Sequence, residues 1–138
     1  MMLDYTEENL NRVIESIRCN LTIDLLPKKM QERNIIGGSN GTYGHCHTAA
    51  GVIYKIFGPK NVHMHRALDD ENLYHWWIVD KNGKIIDPTS EQYTLLGRVP
   101  PYSTGSKASL LGFAYRKRVN ILLERVTLDI DPGYVPHA

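Results

Sequence analysis

The chain has 138 residues, 42% hydrophobic and 22% charged, with a formal net charge of +1. Those values fit a single globular domain over residues 1–138; they exclude a disordered or coiled-coil chain and argue against nucleic acid as a whole-surface partner. The opening stretch "MMLDYTEENLNRVIESI" is acidic and amphipathic, with no apolar run long enough for a signal sequence or membrane span, so a cytoplasmic protein without a membrane partner is expected.

Thr6 followed by Glu7 and Glu8 has the pattern of a helix start, and Leu10, Val13, Ile14 and Ile17 recur at helical spacing, which predicts a first helix to about Arg18. Cys19, late in this helix, reads as an inert buried thiol; a lone pair of cysteines in a cytosolic chain argues for two thiols rather than a bridge. A second, shorter helix is expected over about Asp24–Glu32, with Pro27 in its first turn. The run "RNIIGGSNGTYG" that follows is loop chemistry, its glycines free to take positive φ and to let backbone approach a ligand.

From Cys46 to Phe57, Ala49, Ala50, Ile53, Tyr54 and Phe57 form one apolar helix face, stopped by Gly58 and Pro59, so Cys46 stands near a helix N-terminus. Strands are predicted over 61–68, 73–80 and 84–87. Then comes a long irregular segment around "LLGRVPPYSTGSK", a helix from about Leu110 or Tyr115 to Val126, and an irregular tail over 127–138. The expected architecture is α+β: helices packed on a small antiparallel sheet, with the C-terminal helix covering part of it.

The turn Asp80-Lys81-Asn82-Gly83 decides which side chains meet. A two-residue Asn-Gly turn would set His75 and Asp87 on opposite faces. A type I turn with Gly83 as a left-handed bulge pairs Asp80 with Lys84 and Trp77 with Asp87, and it avoids two directly opposed lysines. In this bulged register His75 and Asp87 are diagonal neighbours on one face, about 7 to 8 Å apart at Cα.

A thiol at the positive end of a helix, beside an imidazole that a carboxylate orients, is an activated nucleophile. If the Cys46 helix packs across the face carrying His75, then Cys46, His75 and Asp87 form a Cys-His-Asp triad, with the Gly-rich loop, Asn40 and Tyr43 as oxyanion or substrate-binding candidates. Two other readings compete. His45, Cys46, His47, His63, His65 and His75 are donors enough for zinc, although side chains at consecutive positions diverge and no C-x-x-C is present. Between Arg98 and Val126 six basic residues stand against one acid, Glu124, with Tyr102, Phe113 and Tyr115 interleaved, a composition that could touch nucleic acid or an acidic partner, as in a non-catalytic phage or bacterial interaction protein on the same fold.

The segments "GHCHTAAGVIYKIFG" and "HWWIVDKNGKIIDPT" resemble the core of transglutaminase-like cysteine enzymes, in which G-x-C opens a helix and H-x-W on one strand precedes D-P-T on the next. Cys46, His75, Trp77 and Asp87-Pro88-Thr89 match position by position, and the order Cys, His, Asp is shared with arylamine acetyltransferases, toxin deamidases and papain-like proteases. With "VPPYSTG" and "GFAYRKR", the chain also resembles a group of small bacteriophage proteins; the resemblance covers 43–126. It implies a papain-like or transglutaminase-like core in a bacterial cytosol. It also implies a hydrolase or acyl transferase working through a thioester on a peptide, protein or small amide or ester, with Trp77 as a further substrate-binding candidate and no cofactor or metal. The short stretch between Cys46 and His75 leaves little room for the substrate-binding insertions of larger relatives, and a protein partner could complete the cleft.

Overall fold

The computed structural model describes residues 3–109 and 113–134. Helix α1 spans Glu7–Asn20, capped by Thr6, whose hydroxyl accepts from the Asn9 N–H at 3.1 Å. Its apolar stripe of Leu10, Val13 and Ile17 is buried, while Cys19 lies on the exposed side, contrary to expectation. The second helix also differs. Ile23–Leu25 is a single 3-10 turn, and Pro27, extended at φ −57° and ψ 146°, caps helix α2 over Lys28–Ile36 instead of sitting within its first turn.

Helix α3, Cys46–Phe57, is the centre of the molecule: every residue except Tyr54 and Lys55 is buried. A helix apolar nearly all round must be covered on all sides. Strands β1 (Val62–Leu68), β2 (Tyr74–Asp80), β3 (Ile85–Ile86) and β4 (Ser106–Ala108) form an antiparallel sheet in the order β3-β2-β1-β4 that covers one side. Helices α1 and α5 (Phe113–Ile130) cover another, after the short helical turn α4 (Glu91–Thr94). Val13, Ile17, Val52, Ile53, Val62, Ile78, Val119 and Leu122 meet in one core with no exposed surface, each such side chain stabilising the fold by about 1.5–3 kcal/mol.

The bulged hairpin forms as the turn chemistry dictates. Ile78 pairs with Ile86 and Val79 with Ile85, Asp80 N–H donates to the Lys84 carbonyl at 2.9 Å, and Gly83 takes φ +83°. Three expectations for the C-terminal half need correction. The irregular segment contains β4, which pairs Met64 with Ala108 and Arg66 with Ser106; nothing in Ser-Lys-Ala favours a strand, so the free edge of β1 recruits it. The last helix packs on α1 and α3 rather than over the sheet. It also continues through buried Val126 and Thr127 to Ile130, ending just before Asp131-Pro132, so 127–130 is not tail. Leu110 as a helix start and residues 135–138 lie outside the described residues. Among the described residues no helix is long and apolar enough to cross a membrane.

Candidate active site

The Gly-rich loop delivers Cys46 to its position. Gly38, Asn40, Gly41 and Gly44 all have positive φ, and a Cβ on Gly44 would lie 2.9 Å from Leu26 Cδ2. Buried Asn34 holds the loop from α2, its amide donating to the carbonyls of Gly41 at 2.9 Å and Tyr43 at 2.8 Å. The chain enters α3 through His45 without a side-chain cap, leaving the first-turn N–H groups, that of Cys46 among them, without intrahelical acceptors.

Alternation along β2 divides its residues. Trp76 and Ile78 join the core under α3, whereas His75 and Trp77 belong to the opposite side. Helix α3 therefore does not pack across the face that carries His75. Its N-terminus instead lies at the start of β2, with Cys46 Sγ 4.0 Å from the carbonyl of Tyr74, the residue before His75, and there the thiol is close enough to help raise the pKa of the imidazole.

His75 has no solvent exposure, and its Nε2 lies 2.6 Å from Asp87 Oδ2. The Tyr102 hydroxyl donates to the same oxygen at 2.7 Å; Asp87 Oδ1 accepts from Thr89 N–H at 3.1 Å and Thr89 Oγ1 at 3.2 Å. With Nε2 committed to the carboxylate, Nδ1 remains for the thiol, and Gln92 Nε2 stands 3.4 Å from it. Trp77 backs the imidazole at 5.8 Å and 26°, and Tyr93 meets it edge-on at 4.7 Å. Burial opposes a charge on His75, but the hydrogen bonds and charges of Asp87 and Cys46 prevail, and its pKa is pushed up to about 9. A positively charged imidazole held beside a thiol favours the thiolate.

A cavity of about 250 Å³ opens at Cys46, with Tyr43, Tyr74, Trp76, Gln92 and Tyr93 among its walls. Of the three oxyanion or substrate-binding candidates, Tyr43 lines the cleft. Asn40 does not: it is exposed, and its amide donates to Glu91 Oε2 at 3.0 Å. Nor does Trp77, which lies behind His75 and wedges against Gly105, where a Cβ would fall 2.2 Å from Cζ2; Trp76 is the cleft wall.

The chain matches no family model, no curated protein and no solved structure.

The donors counted for zinc do not converge. Among the described residues the one group of three metal-ligating side chains within reach of one another is Asp69, Asp70 and Glu71, which contains no histidine or cysteine and has Arg98 paired into it. His45 is fully buried in the core, His47 packs edge-on against Trp76 at 4.6 Å, and His65 lies over Trp77 at 6.3 Å. The basic stretch is also partly neutralised: Arg98 pairs with those carboxylates, and Arg125 with Asp24 at 2.8 Å. The side chains of Phe113 and Tyr115 lie outside the described residues.

Sequence reasoning missed Tyr102, Gln92 and Tyr93. Tyr102 lies in the segment read as irregular, on a 3-10 turn over Tyr102–Thr104, and no local pattern marks it as Asp87's partner. Gln92 and Tyr93 follow Asp87-Pro88-Thr89 on α4, where a helical turn returns them to His75. The polar run after a D-P-T motif carried that signal.

Proposed function

We propose that the protein is a cysteine-dependent amide or ester hydrolase or acyl transferase, built on a papain-like or transglutaminase-like core. The supporting observation is that one buried imidazole is held by Asp87 through Nε2 while the Cys46 thiol, at a helix N-terminus, reaches the backbone of Tyr74 next to it.

In this reading the Cys46 proton passes to His75 Nδ1. The thiolate attacks the substrate carbonyl, whose π electrons move to oxygen, and N–H groups of the first turn of α3 hydrogen-bond the oxyanion. Collapse breaks the bond to the leaving amine or alcohol, which takes the proton from Nδ1 and leaves a thioester on Sγ. Water or an amine then gives its proton to Nδ1 as it attacks the thioester, and Cys46 leaves as thiolate. Asp87 keeps the imidazole in the tautomer that presents a lone pair at Nδ1.

The test is the rate of Cys46 alkylation by iodoacetamide from pH 4 to 9 in a Cys19→Ser background, which is needed because Cys19 is exposed. Rapid alkylation persisting well below the free-thiol pKa of about 8.5, and abolished in His75→Ala, is expected. Alkylation that follows an ordinary thiol and ignores His75→Ala would overturn the proposal.

A further inference from the structure

The cavity at Cys46 is bounded mainly by apolar and aromatic surface. Met30 and Tyr43 stand on the side of α2 and the loop, Tyr74 and Trp76 belong to β2, buried Tyr93 comes from α4, and Leu73 is half-exposed. Its volume of about 250 Å³ exceeds the roughly 150 Å³ that suffices for benzene in an engineered apolar cavity. One ring or branched aliphatic group fits, while a drug-sized ligand does not.

Asp69, Gln92 and Tyr93 in the wall are already engaged. Asp69 Oδ1 accepts from the N–H groups of Glu71 at 2.8 Å and Leu73 at 3.0 Å, its Oδ2 accepts from the Tyr93 hydroxyl at 2.8 Å, and Arg98 stands 3.6 Å from that oxygen. Gln92 donates to the carbonyl and hydroxyl of Thr89. Burial drives the His47 pKa down to about 4, so its imidazole is neutral at neutral pH. No lysine or arginine is among the described lining residues. Arg33 covers the Tyr43 ring at 4.4 Å and is tied to Glu71. Arg66 stacks on the backs of two wall rings, 4.4 Å from Tyr74 and 5.4 Å from Trp76, but is not itself a lining residue. A substrate carboxylate would meet no cation among the lining residues and would face Asp69, while a substrate cation would find Asp69 already matched by Arg98.

We infer that this cavity selects substrates whose acyl portion carries an uncharged aromatic or branched aliphatic group next to the reacting carbonyl. The inference rests on the reading of Cys46 as the nucleophile. Tyr43, Tyr74, Trp76 and Tyr93 offer ring faces and edges to such a group, and their burial against it supplies the binding energy.

The test uses the full chain carrying Cys19→Ser and measures protection of Cys46 from iodoacetamide by N-acetyl amides of phenylalanine, leucine, glycine, glutamate and lysine, together with turnover of the matching ethyl thioesters. Phenylalanine and leucine derivatives are expected to protect at concentrations about 10-fold or more below those of the others, and to be turned over with kcat/KM higher by a similar factor. Leu73→Trp, which fills the cavity from its half-exposed rim, is expected to erase protection by the phenylalanine amide while the thermal melt stays cooperative. Equal protection across the series, or a preference for glutamate or lysine, with Cys46 still alkylated rapidly in a His75-dependent way, would overturn the inference and leave the nucleophile standing. Slow alkylation independent of His75 would remove both.

Discussion

His45 and His75 are both without solvent exposure, yet they titrate in opposite directions: His45 is pushed down to about 4, His75 up to about 9. Burial acts on each in the same sense, against the imidazolium. Against burial His45 has only the charge of Asp24, while Arg118 acts with burial, and among the described residues neither of its ring nitrogens has a hydrogen-bond partner. His75 has a carboxylate at 2.6 Å, and its hydrogen bond and the charges of Asp87 and Cys46 outweigh burial. One side chain type is thus an inert filler at the entry to α3 and a charged centre at the start of β2, and the partner rather than the burial decides which.

Removing that partner brings the largest expected change. Asp87→Asn keeps the shape but offers His75 an amide, so the imidazole loses both its charge stabilisation and its tautomer control. Thioester turnover is expected to fall about 10⁴-fold, as in serine-protease triads altered at this position. The His75 pKa, followed by NMR, should drop from about 9 toward the value of His45. An Asp87→Asn protein that keeps both its rate and a high His75 pKa would dissolve the contrast between the two histidines.

Stability against pH separates them next. His45 has a folded pKa below the unfolded value of 6.5, so its contribution is complete above pH 6.5 and is lost as pH falls toward about 4. The loss is on the order of 3 kcal/mol. His75 has a folded pKa above 6.5, so its contribution is complete below pH 6.5 and is lost as pH rises through about 9. In urea denaturation from pH 4 to 9, His45→Leu should make the acid limb shallower, leaving the share of His47, and His75→Ala should flatten the alkaline limb, with neither affecting the other's.

How much of this was legible depends on how local its causes are. The hairpin register followed from Asp80 and Gly83, because turn geometry is written in four consecutive residues; with it came the meeting of His75 and Asp87. The positions of α3 and Cys46 followed from periodicity and the Gly-Pro stop. Which face of β2 the helix covers did not, since Trp76 and Trp77 are equally apolar in sequence and only the completed packing assigns one to the core and the other to the imidazole. Strand β4 and the Tyr102 turn were illegible for the same reason: their residues have weak local preferences and are placed by the edge of β1 and by Asp87.

That non-local segment supplies the smaller tests. Gly105→Ala would drive a methyl group into Trp77, 2.2 Å from Cζ2, and so displace the ring that backs His75. A loss of about 2–3 kcal/mol in urea denaturation is expected, with slower Cys46 alkylation, whereas the same substitution at Gly83, where a Cβ meets nothing within 4 Å, should leave alkylation unchanged and cost only the strain of φ +83°.

The smallest effect is the most discriminating. Burial, then the charge of Asp87 and the hydrogen bond to it, raise the Tyr102 pKa, so the hydroxyl stays protonated and donates to Asp87 Oδ2 beside His75. Tyr102→Phe removes one of the two donors on that oxygen while Thr89 keeps its grip on the other, so stability should fall by only on the order of 1 kcal/mol. The carboxylate, no longer shared, becomes a stronger acceptor for His75 Nε2, and the His75 pKa should rise further. Asp87→Asn and Tyr102→Phe would then both slow turnover while moving the same titration in opposite directions, a signature that mere loosening of the fold around His75 would not produce. If both substitutions lower the His75 pKa, Tyr102 packs against the carboxylate without sharing it.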